Sequence, residues 1–404
     1  MVISVLSEAP VFAKNRPVKS PALPANRPFP SAVELVLSRY GELVDGSRAS
    51  DLAFHAALSA MAPATRAALT SDLKCFLNWC ASQRPAEQSI PARPEAIVHY
   101  LQWLAKGSEN RAGAKPATLS RRLASIARVH RMLGFGETEP LPTQAGMVKD
   151  TLKGLRREKR QRQRQAAPLR LGDEMGEGQG APTGPNLRAL LAACGTDLPG
   201  LRDAALFSTA YDAGLRVSEL VATTVSDLSR MPDGTGRLEI QKSKTDQTGE
   251  GALAWLSAET MTRLSEWLGA SGINKGPVFR RINRLTSKPD RYGQQVQRQY
   301  LGGQPLTRQG VVAILRRRLL QAIDLGLLEL EPGTEGDVAR SISAHSFRVG
   351  LAQDLFAAGE DGAGIALALR WSSPTTALRY ARELAVGSNA AARVLGRVRG
   401  DSPG

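Results

Sequence analysis

Cysteine is scarce in this sequence: Cys75, Cys80 and Cys194 are the only three in 404 residues. An odd number at unrelated spacings excludes a disulfide-stapled secreted scaffold and does not match a zinc site. Cys75 and Cys80 sit in an apolar helical pattern and read as packing residues. Long apolar runs are missing too. No stretch approaches the roughly 20 residues that a membrane-crossing helix needs, so no membrane partner is expected. The apolar opening Val2 to Leu6 is interrupted by Glu8, which argues against a secretory leader and for a cytoplasmic protein. Acid is short relative to base: 53 Lys and Arg stand against 38 Asp and Glu, a formal net charge of +15. That excess draws a chain toward polyanions, although a soluble protein with a charged surface carries the same sum.

What is present falls into four stretches. Residues 1–48 carry prolines at 10, 17, 21, 24, 28 and 30 with little periodicity, and are expected to be a disordered tail with at most a short helix near 32–37. Residues 49–165 are helical throughout. Ala68, Leu69, Leu73, Phe76, Leu77 and Cys80 recur at helical spacing, as do Ile97, Val98, Leu101 and Leu104 after Pro94. A third helix is expected to open at an N-cap Thr118 and to carry Leu119, Leu123, Ile126, Val129 and Leu133 on one face. Arg121, Arg122, Arg128 and Arg131 lie opposite, and Thr143 opens a fourth helix. Then comes KGLRREKRQRQRQAAPLR, where Glu158 is the lone acid. Its Arg156, Arg157, Lys159 and Arg160 are candidates for DNA-backbone contact. Residues 166–185, ending in a Gly-, Pro- and acid-rich run, read as a linker.

Residues 186–404 are expected to form a second domain, mainly helical with one small sheet. Helices are predicted near 186–194, 201–213, 215–222, 257–268, 307–325, 345–358, 361–369, 374–385 and 388–398. A β-hairpin is predicted over 237–256, between turn residues Asp233-Gly234 and Gly249–Gly251. The helix opening at Thr307 carries Arg308, Arg316, Arg317 and Arg318. No internal repeat is apparent.

Four short motifs in this second part can carry chemistry. In His345-Ser346-Phe347-Arg348 an imidazole and a guanidinium share one helical face and can converge on an anion. In AGLRVSEL the glycine breaks one helix, Arg216 opens the next, and Glu219 three residues on can hold its guanidinium. Lys242 and Lys244 in QKSKT ride on the hairpin, where a lysine can reach a phosphate and protonate a leaving alkoxide. In WSSPTTALRY, Ser373 and Pro374 start a helix whose buried stripe is expected to be Leu378, Ala381 and Ala385, with Tyr380 on another face. A tyrosine hydroxyl is a poor nucleophile unless neighbouring cations stabilise its anion. Each motif alone has an ordinary reading: a surface pair, an edge-strand lysine, a half-buried aromatic.

Their order and spacing together resemble the tyrosine recombinase (phage integrase) family, and within it the Cre-like members. AGLRVSEL resembles the first arginine box, HSFRVG the second and WSSPTTALRY the tryptophan-to-tyrosine segment, with Trp371 where many members have histidine. The resemblance covers about 50–400, and parts of 281–305 and 329–340 have no counterpart in it.

The resemblance implies a helical core-binding (SAM-like) domain and an α+β catalytic domain closing as a C-shaped clamp on double-stranded DNA. It implies a site made of Tyr380, Arg216, Lys244, His345, Arg348, Trp371 and Glu219, with Lys244 rather than Lys242 as the proton donor. Arg121, Arg122, Arg128, Arg156, Arg157, Lys159, Arg160, Lys242, Arg308, Arg316 and Arg317 are the candidate DNA contacts. Recombination would run through a 3′-phosphotyrosyl link and a Holliday junction in a homotetramer on two inverted-repeat sites, without cofactor or metal, with or without accessory proteins. The final helix, with Ala391, Val394, Leu395 and Val398, either docks on a neighbouring subunit or packs on its own domain. Three other readings are an accessory DNA-binding protein that does not cleave, a type IB topoisomerase-like enzyme and a hairpin telomere resolvase.

Overall fold

The computed structural model describes residues 51–108, 111–159, 166–172, 184–241, 251–286, 297–328, 330–331 and 333–381. The expected tail, residues 173–183 of the expected linker and the final helix lie outside these. The chain divides into two compact units, Met1–Arg164 and Gln165–Gly404.

The first unit contains α1 (Asp51–Ser59), α2 (Pro63–Ser82), α3 (Pro94–Lys106), α4 (Pro116–Met132) and α5 (Gly146–Lys159). Three of these helices begin on proline, whose fixed φ suits the first turn and whose missing N–H costs nothing there. That preference moves the start of α4 ahead of the expected cap: Lys115 is the N-cap and Thr118 lies inside the first turn. Ala96, Ile97, Tyr100, Leu101 and Leu104 put one face of α3 into the core, at most 1% exposed, where Phe76 meets Tyr100 edge-on at 4.9 Å.

His130 of α4 is buried in this unit, and both ring nitrogens are used. Nδ1 lies 2.8 Å from the Ile126 carbonyl and Nε2 accepts the Ala92 N–H at 2.9 Å, which selects the neutral Nδ1–H tautomer. Burial holds its pKa below the usual histidine value, against a smaller upward pull from the Ile126 bond.

The second unit contains α6 (Leu187–Ala192), α7 (Leu198–Asp212), α8 (Val217–Ala222), β1 (Leu228–Arg230), β2 (Gly236–Ile240), β3 (Ala252–Leu256) and α9 (Ala258–Ser271). These are followed by β4 (Arg280–Thr286), β5 (Gln297–Pro305), α10 (Arg308–Asp324), α11 (Glu335–Ser341), α12 (Ser346–Ala357), α13 (Gly362–Ala368) and α14 (Pro374–Ala381). The expected hairpin is β2–β3, in register Gly236↔Leu256 through Ile240↔Ala252, and β1 extends it to three antiparallel strands. Asp233-Gly234 thus turns β1 into β2. A single sheet was expected, but β4 and β5 form a second, two-stranded one. Its residues follow no strict apolar alternation, so the period-2 signal was absent. The core is built on α7 and α12, where Phe207 meets Phe347 at 5.6 Å, and on Trp267, whose indole N–H donates to the Val278 carbonyl at 2.9 Å.

Residues 166–172 are not the linker that their position suggested. They lie across α12 as a strap. Ala167 N–H donates to the Ser341 carbonyl (3.2 Å), Leu169 N–H to Ser346 (3.0 Å), and Leu169 is fully buried. Arg170 donates to the buried Asp354 carboxylate at 2.5 Å and the Leu171 N–H does so at 2.8 Å. The Tyr211 hydroxyl bonds the same carboxylate. Burial and the adjacent Asp354 charge push the Tyr211 hydroxyl far above its ordinary range, so it stays a donor. Seven residues with a proline and a closing glycine, Ala166 to Gly172, are too short to show a periodic signal, which is why the strap reads as linker.

Candidate active site

The site is assembled at the turn between α7 and α8, the start of α12, and the stretch from the end of α13 into α14. Arg216 is the N-cap of α8 and Glu219 is its N3 residue. One Glu219 oxygen accepts the Arg216 backbone N–H at 2.9 Å and the other accepts its guanidinium at 2.8 Å. A lone cation at a helix N-terminus is unfavourable, and this carboxylate offsets it. Burial pushes the Glu219 pKa up, but the Arg216 hydrogen bonds and the charges of Arg216 and Arg370 outweigh it and the net shift is downward. Glu219 is therefore ionised at neutral pH.

His345 caps the start of α12, and Arg348 lies one turn inside. Arg348 is 1% exposed, while the Arg216 side chain is 23% exposed, so Arg216 is the more open of the two cations. The Arg348 guanidinium donates to the carbonyls of Gly214 and Leu369. Burial, then the charges of Arg216 and Arg370, lower its pKa to about 9, which leaves it cationic at neutral pH.

Tyr380 stands on α14 with its hydroxyl 3.0 Å from His345 Nε2. Its ring stacks on Trp371 at 5.1 Å and 17°, and Trp371 in turn lies over the Arg348 guanidinium at 5.3 Å. His345 belongs to the surface as a residue, yet its ring is crowded against Tyr380, with centroids 5.8 Å apart. Desolvation first, then Arg348 and Arg216, hold its pKa below the usual histidine value. A neutral imidazole at neutral pH can accept a proton. Tyr380 was expected apart from the buried face of α14, but Ala377 is buried and Tyr380, one turn on, packs on the same cluster of Ala352, Ile365 and Leu369. The side chains of Leu378 and Ala381, and Ala385 itself, lie outside the described residues.

The structure thus brings together Arg216, Glu219, His345, Arg348, Trp371 and Tyr380. Lys242, Lys244 and Arg160 lie outside the described residues. Just before the lysines, Gln241 donates to Asp227 at 2.6 Å. The other expected DNA contacts differ in availability. Arg128, Arg157, Arg308 and Arg316 are exposed, and Lys159 is partly so. Arg156 is exposed and bonds Ser120 at 2.7 Å. Arg121 pairs with the buried Asp72 at 2.5 Å and Arg317 with the buried Asp203 at 3.1 Å, each about half exposed. Arg122 is a correction to the open basic face expected of α4: its side chain is 17% exposed and donates to the buried Tyr100 hydroxyl at 3.0 Å.

Arg370 was missed in the sequence. Its only signal is adjacency to Trp371, and its contacts come from distant segments. Among the described residues no cluster of His, Cys, Asp and Glu is placed to hold a metal ion, and no helix is long and apolar enough to cross a membrane.

A tyrosine, an imidazole and two arginines are thus gathered on one small patch. Comparison with known proteins gives the family: the profile of the phage integrase family matches residues 183–385. The chain belongs to this family, the tyrosine recombinases. It is 33% identical over 231 residues to the integrase/recombinase xerD homolog of Selenomonas ruminantium, covering 55% of this chain and 61% of that protein. It is 24% identical over 333 residues to the recombinase cre of Escherichia phage P1, covering 81% and 86%. The first of these relatives is therefore spanned over less than two thirds of its length. Among solved structures, XerH site-specific recombinase bound to palindromic difH substrate, in a post-cleavage complex, aligns over 90% of this chain and 98% of that one. That alignment has a TM-score of 0.49 and 14% identity.

Proposed function

We propose that this protein is a site-specific DNA recombinase that cleaves with Tyr380 and rejoins DNA through a 3′-phosphotyrosyl intermediate. The observation that carries the reading is the 3.0 Å contact between the Tyr380 hydroxyl and a His345 ring kept neutral beside two arginines. In the proposed step the Tyr380 oxygen attacks phosphorus, its proton passes to His345 Nε2, and the bond from phosphorus to the 5′ oxygen breaks. Arg216 meets one non-bridging oxygen. Two of the five N–H groups of Arg348 are spent on carbonyls, which leaves donors for the other oxygen. Trp371 holds the Tyr380 ring, and Lys244 protonates the 5′ oxygen. One phosphoester bond replaces another, so the reverse step, attack by a 5′ hydroxyl, reseals the strand without an external energy source.

The exposed arginines of α4, α5 and α10 are the proposed contacts to double-stranded DNA, with exchange at inverted-repeat sites through a Holliday junction in a homotetramer, in the nucleoid. The 49–165 stretch is the proposed core-binding domain and the chain from 186 the proposed catalytic domain.

The test is a nicked suicide duplex taken from DNA flanking the gene, run on a denaturing gel. A covalent adduct is expected with the wild type and with Tyr300→Phe, an exposed control, and none with Tyr380→Phe. Tyr211 is unsuitable as a control because its hydroxyl serves buried Asp354. Specific binding with no adduct would refute cleavage and leave an accessory DNA-binding protein.

A further inference from the structure

Arg370 has a backbone φ of +54°, and it is the one non-glycine residue with positive φ among the described residues. It ends α13 in a paired arrangement: the Trp371 N–H bonds the Ala366 carbonyl at 2.8 Å and the Arg370 N–H bonds Leu367 at 3.1 Å. This is the C-terminal helix cap whose left-handed position glycine normally fills, because a Cβ is disfavoured there. An arginine carries a conformational cost at this position that glycine would not. That cost is offset only if the side chain contributes something, and its contacts say what.

The Arg370 guanidinium is 11% exposed and reaches back to the turn that precedes Arg216. One nitrogen donates to the Ala213 carbonyl at 2.9 Å. The other donates to Gly214 at 3.2 Å and lies 3.4 Å from the Glu219 oxygen that also holds the Arg216 backbone. The Gly214 carbonyl takes Arg348 as well. Two guanidinium groups therefore tie the turn carrying Arg216 to the turn carrying Trp371. Only Arg370 also touches the carboxylate that holds Arg216.

We infer that Arg370 is a positioning residue: it fixes the Glu219 carboxylate, and through it the Arg216 guanidinium, at the place where the scissile phosphate is to bind. This rests on the recombinase reading for its consequence in catalysis, but the placement of Arg216 can be tested without catalysis. Arg370→Gly is the informative variant, since glycine suits the left-handed backbone and the change removes only the guanidinium contacts.

In single-turnover cleavage at saturating DNA, Arg370→Gly should lower the rate at least tenfold. Its DNA affinity should stay within twofold, and the rate loss should persist at temperatures well below the variant's own Tm. Combined with Glu219→Gln it should lose no more than the worse single variant, because both break one relay. In a crystal structure of the variant, Arg216 should leave its bond to Glu219. Cleavage within twofold of wild type, a loss that tracks DNA affinity or vanishes well below the variant's own Tm, multiplicative losses in the double variant, or an undisturbed Arg216 would each overturn the proposal. A wild type that forms no adduct would count against the recombinase reading. The crystal structure would then decide the Arg370 inference alone.

Discussion

Gly350 gives two physical rules opposite signs. It lies inside α12, where replacing glycine by alanine ordinarily stabilises a helix by about 0.5–1 kcal/mol. The strap cancels that gain. A Cβ at Gly350 would stand 1.9 Å from the Leu169 carbonyl oxygen, 2.3 Å from its carbon and 2.8 Å from the Arg170 nitrogen. These are backbone atoms of another segment and cannot rotate away. To make room the strap must move by more than 1 Å, taking with it the Leu169 N–H bond to Ser346 and both strap bonds to Asp354. One lost backbone hydrogen bond costs about 1 kcal/mol. Removing a partner from a buried ion pair costs about 3–5 kcal/mol, and Asp354 is fully buried. With half of that recovered by relaxation and the helical gain of about 0.5–1 kcal/mol set against the rest, the expected net effect of Gly350→Ala is a loss of about 1–2.5 kcal/mol. Urea unfolding of the full chain, followed by tryptophan fluorescence, measures it. Gly269→Ala in α9 is the control: nothing lies within 4 Å of its added Cβ, so it should gain the helical increment. If Gly350→Ala proved as stable as the wild type, the packing of the strap on α12 would be wrong.

Two further outcomes follow from the same physics. His130 is held neutral, with a folded pKa below its unfolded value of about 6.5. The unfolded chain therefore binds more protons as pH falls. The contribution of this residue is complete above about pH 6.5 and erodes below it with a slope approaching 1.4 kcal/mol per pH unit. Thermal melts between pH 7.5 and 5.5 should fall more steeply for the wild type than for His130→Gln, and parallel curves would contradict the buried neutral tautomer. Among the basic residues of the first unit, Arg128→Ala and Arg157→Ala should weaken DNA binding, each reducing the salt slope of log K by about 1, with no change in Tm. Arg122→Ala should do the reverse, lowering Tm through loss of its Tyr100 bond and leaving the salt slope unchanged.

The residues that contact an outside ligand and the residues that hold them in place are legible in a sequence to different degrees. His345 with Arg348, and Arg216 with Glu219, announce themselves because their chemistry is local: three positions along a helix or its first turn bring two groups together whatever the rest of the chain does. The helical core faces of the first unit are legible for the same reason, since period and burial are tied. Arg370, Asp354 and the strap are not. Arg370 acts on carbonyls some 150 positions away in the chain, and Asp354 meets Arg170 across 184 positions. Nothing in the neighbouring residues of either distinguishes a buried clamp from a surface charge.

Arg122 was misread by the same logic in reverse. Its place on the helical wheel is polar and outward, but a long side chain can turn back along its helix to a buried hydroxyl. A basic stripe on a predicted helix therefore overstates the charge available to DNA. In α4, α5 and α10, the arginines with a buried acid or phenol within reach are held by the protein, and the exposed ones without such a partner are left for a polyanion.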